Sequence, residues 1–119
     1  MKKFIAGRIK AVFYSLNGAF HLLKTEHSIQ AQTIISVFFI FLGFYFKIST
    51  TEWMFKILAI ALVLSIESLN TAVEKICDYI HPAHNKKIGI IKDISAGAAF
   101  FAFIYAFSTV CYIYYPRLF

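Results

Sequence analysis

The stretch from Ile94 to Pro116 contains no charged residue, and no other feature limits the possible folds of this chain as strongly. Roughly 20 apolar residues in a helix cross the hydrocarbon layer of a bilayer. A second uncharged run, Thr33 to Phe46, extends in both directions over weakly polar residues. With 60% hydrophobic and 18% aromatic residues in 119 positions, the chain has more apolar surface than one small soluble core can hide. Lipid is the expected solvent and one membrane domain the expected organisation.

A third span is interrupted. The apolar run Ile57 to Ile66 meets Glu67 before it is long enough to cross. A helix that starts at Trp53, an aromatic suited to the interface, crosses by about residue 73 and leaves Glu67 within the depth of the membrane. The expected architecture is all-α: a surface helix over about 4–24, then membrane helices over about 30–48, 53–79 and 93–115.

The surface helix follows from periodicity. Ile5, Ile9, Val12, Phe13, Leu16, Phe20 and Leu23 fall on one face at about 100° per residue, with Lys3, Arg8, Lys10 and Lys24 off it. Such a helix lies in the plane of an anionic leaflet. Tyr14 breaks the pattern as an aromatic on the polar face. Arg8 and Lys10 also interrupt what would be the apolar core of a signal peptide, so no cleavage is expected.

The net charge of +6 gives an orientation. Lys2, Lys3, Arg8, Lys10 and Lys24 precede the first span, and Lys75, Lys86, Lys87 and Lys92 flank the second loop. Lys47, Lys56 and Arg117 fall on the opposite side. The positive-inside rule places the N-terminus and the second loop on the cytoplasmic side. Cys77 and Cys111 lack the spacing of a disulfide framework. Pro82 ends the second span, and the small residues of Ser95 to Ala99 allow close approach of a neighbouring backbone.

Only six residues are acidic, so each can be weighed singly. Glu52 beside Trp53 reads as a solvated boundary residue. Glu67, Asn70, Glu74 and Asp78 lie at about 0°, −60°, −20° and +20° around a helix, one stripe about 16 Å long. An ionised acid at membrane depth costs at least a few kcal/mol, and Glu74 and Asp78 repel each other by a few tenths. A divalent metal, a lysine or a proton must offset this. Carboxylates one to two turns apart suit a hard cation such as Mg²⁺, which shares its shell with water and phosphate oxygens. Glu67, at the depth of a lipid's head-group hydroxyl, suits a general base. Lys92 and Asp93 adjoin the third span at the same face, placed to neutralise and orient phosphate. His81 and His84 are a weak metal pair, with Pro82 between them and no third ligand nearby, and His21 and His27 read as interfacial.

These residues form the pattern Glu67-x-x-Asn70-Thr71-Ala72-x-Glu74-x-x-x-Asp78, followed fourteen positions on by Lys92-Asp93-x-x-Ala96-x-Ala98-Ala99. The pattern resembles the small integral-membrane bacterial diacylglycerol kinase family, which includes the undecaprenol kinases, and the similarity covers nearly the whole chain. The resemblance implies a homotrimeric lipid kinase with sites between subunits, transferring the γ-phosphate of MgATP to a membrane lipid alcohol. It casts Glu67 as catalytic base, Glu26 and Glu74 as metal ligands, Tyr14, Lys92 and Asp93 as nucleotide contacts, Asn70 and Asp78 as supporting residues, and Ala96 with Glu67 at the lipid substrate. The sequence departs from the family pattern at Gln30, where an arginine is common, and around His84 and Asn85 in the loop.

No phosphate loop of the G-x-x-x-x-G-K-[ST] type is present, so metal and lysines must hold the phosphates. No nucleic-acid partner is expected. The rival reading is a non-catalytic oligomeric membrane protein whose polar seam binds or conducts cations. A conduction path needs polar residues through the full depth, and Ile57 to Ile66 offers only Ser65.

Overall fold

The computed structural model describes all residues from Met1 to Phe119 and contains four helices and no strand. They are α1 (Lys2–Thr25), α2 (His27–Tyr45), α3 (Thr50–Ile80) and α4 (Lys86–Leu118). The last three are long and apolar enough to cross a membrane. The chain is an all-α membrane protein. With 31 residues, α3 is roughly 46 Å long, well beyond the roughly 30 Å of hydrocarbon, so it has length to carry its acidic end past the apolar layer.

Local chemistry sets the helix ends. At the start of α3, Ser49 and Glu52 form a capping box: the Ser49 hydroxyl accepts from the Glu52 amide and the Glu52 carboxylate from the Ser49 amide. This starts the helix three residues before Trp53. Asn85 caps α4 by accepting from the amides of Lys87 and Ile88, and α4 therefore begins well ahead of its uncharged run. The break between α1 and α2 is a single extended residue, Glu26. α2 stops at Tyr45, and Lys47 turns the chain with φ 52°, a left-handed conformation that is costly for a residue with a Cβ.

Weakly polar residues within the spans satisfy themselves. Thr33, Ser36, Ser68, Ser108 and Thr109 each donate a hydroxyl to the carbonyl four residues earlier, so their hydroxyl donors need no water.

α3 packs mainly against α4 and more lightly against α2, and α1 rests chiefly on α2. Only 13 of 119 residues are buried, so most of the apolar surface points outward, as a lipid environment permits. None of α1 is buried, and its apolar stripe is open along its whole length. Close packing is concentrated at the end of the bundle away from the acidic stripe, where Ile48, Ile113 and Tyr114 are enclosed by Phe39, Leu42, Phe46, Trp53 and Val110.

That far end also holds two ion arrangements the sequence reading did not anticipate. Glu52 is no solvated boundary residue: both its carboxylate oxygens receive nitrogens of Arg117 at 2.8 Å, which ties the start of α3 to the end of α4. Lys56 is 3% exposed, bonded to the Tyr114 hydroxyl and ringed by Phe39, Trp53 and Tyr114.

Candidate active site

The acidic stripe on α3 is built as the 3.6-residue repeat requires, with Glu67 and Asn70 half-buried and Glu74 and Asp78 exposed. Each of its members engages a specific neighbour. Ser28, in the first turn of α2, donates its hydroxyl to Glu67 Oε2 at 3.1 Å. Asn70 Nδ2 donates to Glu74 Oε1, also at 3.1 Å, along one turn of α3. Lys92 of α4 donates to Asp78 Oδ1, an ion pair that joins the two helices across the loop.

Glu26 enters from the α1–α2 corner. Its Oε1 lies 3.0 Å from Lys75 Nζ, and this ammonium holds the Glu26 carboxyl below the usual carboxylate range. Glu26 thus contacts the residue next to Glu74 in sequence. Three helix segments meet here: the α1–α2 corner, the acidic third of α3 and the first turns of α4.

The donor set fits a divalent cation. Glu26 and Glu74 are hard oxygen donors; Glu74 keeps one oxygen free after accepting from Asn70, and Asn70 Oδ1 is buried with no hydrogen-bond partner. An orphaned oxygen beside a carboxylate is what an incoming cation or donor would satisfy. No three of the acids, histidines and cysteines converge on one point, so a cation here would complete its shell from substrate and water.

Some residues singled out by sequence are not drawn in. Tyr14 is 70% exposed on α1, and Asp93 and Ala96 are exposed on α4 with no side-chain partner. His81 bonds its Nδ1 to the Ala83 carbonyl and closes the loop locally. Gln30, where an arginine is common in the pattern the chain resembles, donates to the carbonyls of Leu23 and Lys24 and so caps the end of α1. Arg8 stacks on the Phe4 ring. Ser28 was missed by sequence reasoning altogether; its one signal was a hydroxyl two residues after Glu26.

Residues 13–114 match the family model of the prokaryotic diacylglycerol kinases. The chain belongs to that family. It is also 32% identical over 89 residues to the undecaprenol kinase of Bacillus subtilis (strain 168), covering 75% of this chain and 72% of that protein. Over 94 residues it is 29% identical to the diacylglycerol kinase of Haemophilus influenzae (strain ATCC 51907 / DSM 11121 / KW20 / Rd), covering 79% and 80% of the two chains. Members of the family are ATP-dependent lipid kinases, and the acidic stripe of α3 lies inside the matched region. The family suggests a divalent metal that accompanies the nucleotide, in keeping with the carboxylate donors.

Proposed function

We propose that the chain transfers the γ-phosphate of ATP, with Mg²⁺, to the hydroxyl of a membrane lipid alcohol, undecaprenol or diacylglycerol, at the cytoplasmic face of a bacterial inner membrane. The observation that carries this reading is the Ser28 hydrogen bond to Glu67. It engages one carboxylate oxygen, Oε2, and the stripe continues from there through Asn70 and Glu74 toward the polar end.

In this mechanism Glu67 Oε1 takes the proton of the lipid hydroxyl as its oxygen attacks the γ-phosphorus. The bond from that phosphorus to the β,γ-bridging oxygen breaks, and ADP leaves with the electron pair. Such a transfer passes through a loose transition state, so positioning and charge neutralisation supply most of the acceleration. Glu74 and Glu26 would hold the cation, which when bound neutralises phosphate charge. Asn70 fixes Glu74 by its hydrogen bond, Asp78 holds Lys92 at the mouth of the site, and Lys92 with Asp93 faces the nucleotide phosphates.

We place the N-terminus in the cytoplasm on the distribution of lysine and arginine. We also infer a homotrimer with sites between subunits. It is supported by the exposed Tyr14 on the polar face of α1 and by the unpartnered Asn70 Oδ1.

The test is phosphate transfer from radiolabelled ATP to diacylglycerol and to undecaprenol in mixed micelles, comparing the native chain with Glu67→Gln. Transfer to one lipid that the substitution abolishes supports the reading and names the substrate. Undiminished transfer in Glu67→Gln removes Glu67 as the base.

A further inference from the structure

Lys75 has no role in the transfer described above, yet it stands among the groups that carry it. It follows Glu74 directly on α3, and the step of about 100° per residue turns it away from Glu74. Its ammonium reaches the α1–α2 corner, 3.0 Å from Glu26 Oε1, an oxygen that also accepts from the Thr25 hydroxyl at 3.4 Å. A second carboxylate is near on α3 itself, since Asp78 is three residues on and residues at that spacing are neighbours on a helix. Asp78 is taken by Lys92, however, and Lys75 spans to the other helix corner instead.

The two members of this pair are unequally held. The Glu26 side chain is 23% exposed and belongs to the single extended residue between two helices, whereas the Lys75 side chain is 59% exposed on a flexible four-carbon stem. The ammonium is therefore the part free to move. A pair this open is worth at most about fivefold in an equilibrium, so another charge can replace it. Glu26 is also one of the two carboxylates assigned to the cation, and an ammonium and a dication on one carboxyl group repel each other at close range. Lys75 thus stands in the place of the metal's charge. Exchange needs an anion to receive the ammonium, and the phosphates of the nucleotide are the anions that arrive at this site.

We propose that Lys75 is the resident counter-charge of Glu26 and sets the order of entry: its ammonium bars a cation that arrives alone, and moves onto the phosphates when the nucleotide enters. The cation is then accepted together with the nucleotide and not ahead of it. The inference rests on Glu26 as a cation ligand. In the chain without nucleotide, Lys75 keeps the Glu26 carboxylate compensated and the α1–α2 corner docked on α3. With nucleotide, it neutralises phosphate charge. Lys75 is a positioning residue in the first state and a nucleotide contact in the second.

The experiment measures two affinities of the full chain in micelles, for the native protein, Lys75→Met, Lys75→Arg and Glu26→Gln. The first is for Mn²⁺ alone, a cation that takes the same oxygen ligands and whose unbound fraction is read by electron paramagnetic resonance, without nucleotide or turnover. The second is for a non-hydrolysable ATP analogue at saturating Mg²⁺, by calorimetry. Lys75→Met, which keeps the apolar stem and loses the charge, should tighten Mn²⁺ about fivefold and weaken the analogue about fivefold. Lys75→Arg keeps the charge and should leave both within about twofold of native. Opposite shifts are the signature. A lysine that merely holds the corner in place would weaken both affinities when removed, and that result overturns the proposal; so does an unchanged value of either affinity in Lys75→Met. Glu26→Gln separates the inference from the reading it rests on. It should weaken Mn²⁺ at least about tenfold, no less than the loss of an outer-sphere partner costs. Undiminished Mn²⁺ binding in Glu26→Gln removes Glu26 as a ligand and the proposal with it, whereas weakened binding there with no gain in Lys75→Met rejects the exchange alone.

Discussion

Ser28 and Glu67, 39 positions apart in sequence, meet through a 3.1 Å hydrogen bond that places the first turn of α2 against the acidic third of α3. The bond occupies one carboxylate oxygen and leaves the other free. It is also half-exposed, so its worth lies at the low end of the range for a charge-assisted bond, about 1 kcal/mol. Ser28→Ala should therefore reduce kcat about fivefold with the KM for ATP unchanged, and Ser28→Thr should restore it. Steady-state kinetics on the three proteins checks this, and an unaltered kcat in Ser28→Ala removes Ser28 from the site.

Asn70 holds Glu74 through its amide nitrogen while its own oxygen is buried and unpartnered. Asn70→Ala should free the Glu74 carboxylate and raise the divalent cation concentration needed for half-maximal activity about tenfold, an effect in the range of lost outer-sphere partners of metal ligands. Titrating activity against Mg²⁺ at saturating lipid measures it. A shift in the lipid KM instead would place Asn70 at the acceptor.

The Glu26 carboxyl is held below its ordinary value of 4.5 by Lys75. For a carboxylate lowered in this way, the favourable ion pair is fully present above the unfolded value and is lost as pH falls through the folded one. The tie between the α1–α2 corner and α3 should thus persist at neutral pH and open only in acid, below 4.5. In Lys75→Met the midpoint should rise toward 4.5, as followed by the carboxyl carbon resonance of Glu26 in micelles. An unmoved midpoint assigns the shift to another cause.

Glu52 combines a helix cap with a two-pronged bridge to Arg117. Glu52→Ala removes both and should destabilise the fold by about 2 kcal/mol, whereas Arg117→Ala, which keeps the cap, should cost about 1 kcal/mol. Thermal unfolding in detergent orders the two. Neither should change the KM for ATP, because both lie at the end opposite the acidic stripe.

Gly43 has no room for a side chain. A Cβ there would stand 2.6 Å from Cη2 of Trp53 and 2.9 Å from Nζ of Lys56. Gly43→Ala should push Trp53 out of the Lys56 cage at a cost of about 1–3 kcal/mol, visible as a lower unfolding midpoint and altered Trp53 fluorescence. Trp53 is the only tryptophan, so the optical signal is unambiguous.

Much of the architecture is legible in the order of residues because lipid demands long unbroken apolar helices, and Thr33–Phe46 and Ile94–Pro116 announce them. The stripe from Glu67 to Asp78 is legible for the same reason: four polar side chains on one helical face depend on helical periodicity alone. Helix ends were less so, since the caps at Ser49 and Asn85 start α3 and α4 ahead of their apolar runs.

The sequence by itself determined which residues share a helix face, through the 3.6-residue repeat, and which segments belong in hydrocarbon, through the cost of burying charge there. Only the tertiary structure decided which faces meet. It set Ser28 on Glu67, Glu26 on Lys75 and Lys92 on Asp78, turned Gln30 into a cap for α1, and enclosed Lys56 among three rings. These pairings join different helices, and their partners are chosen by how the helices pack, a property that no local pattern of residues encodes.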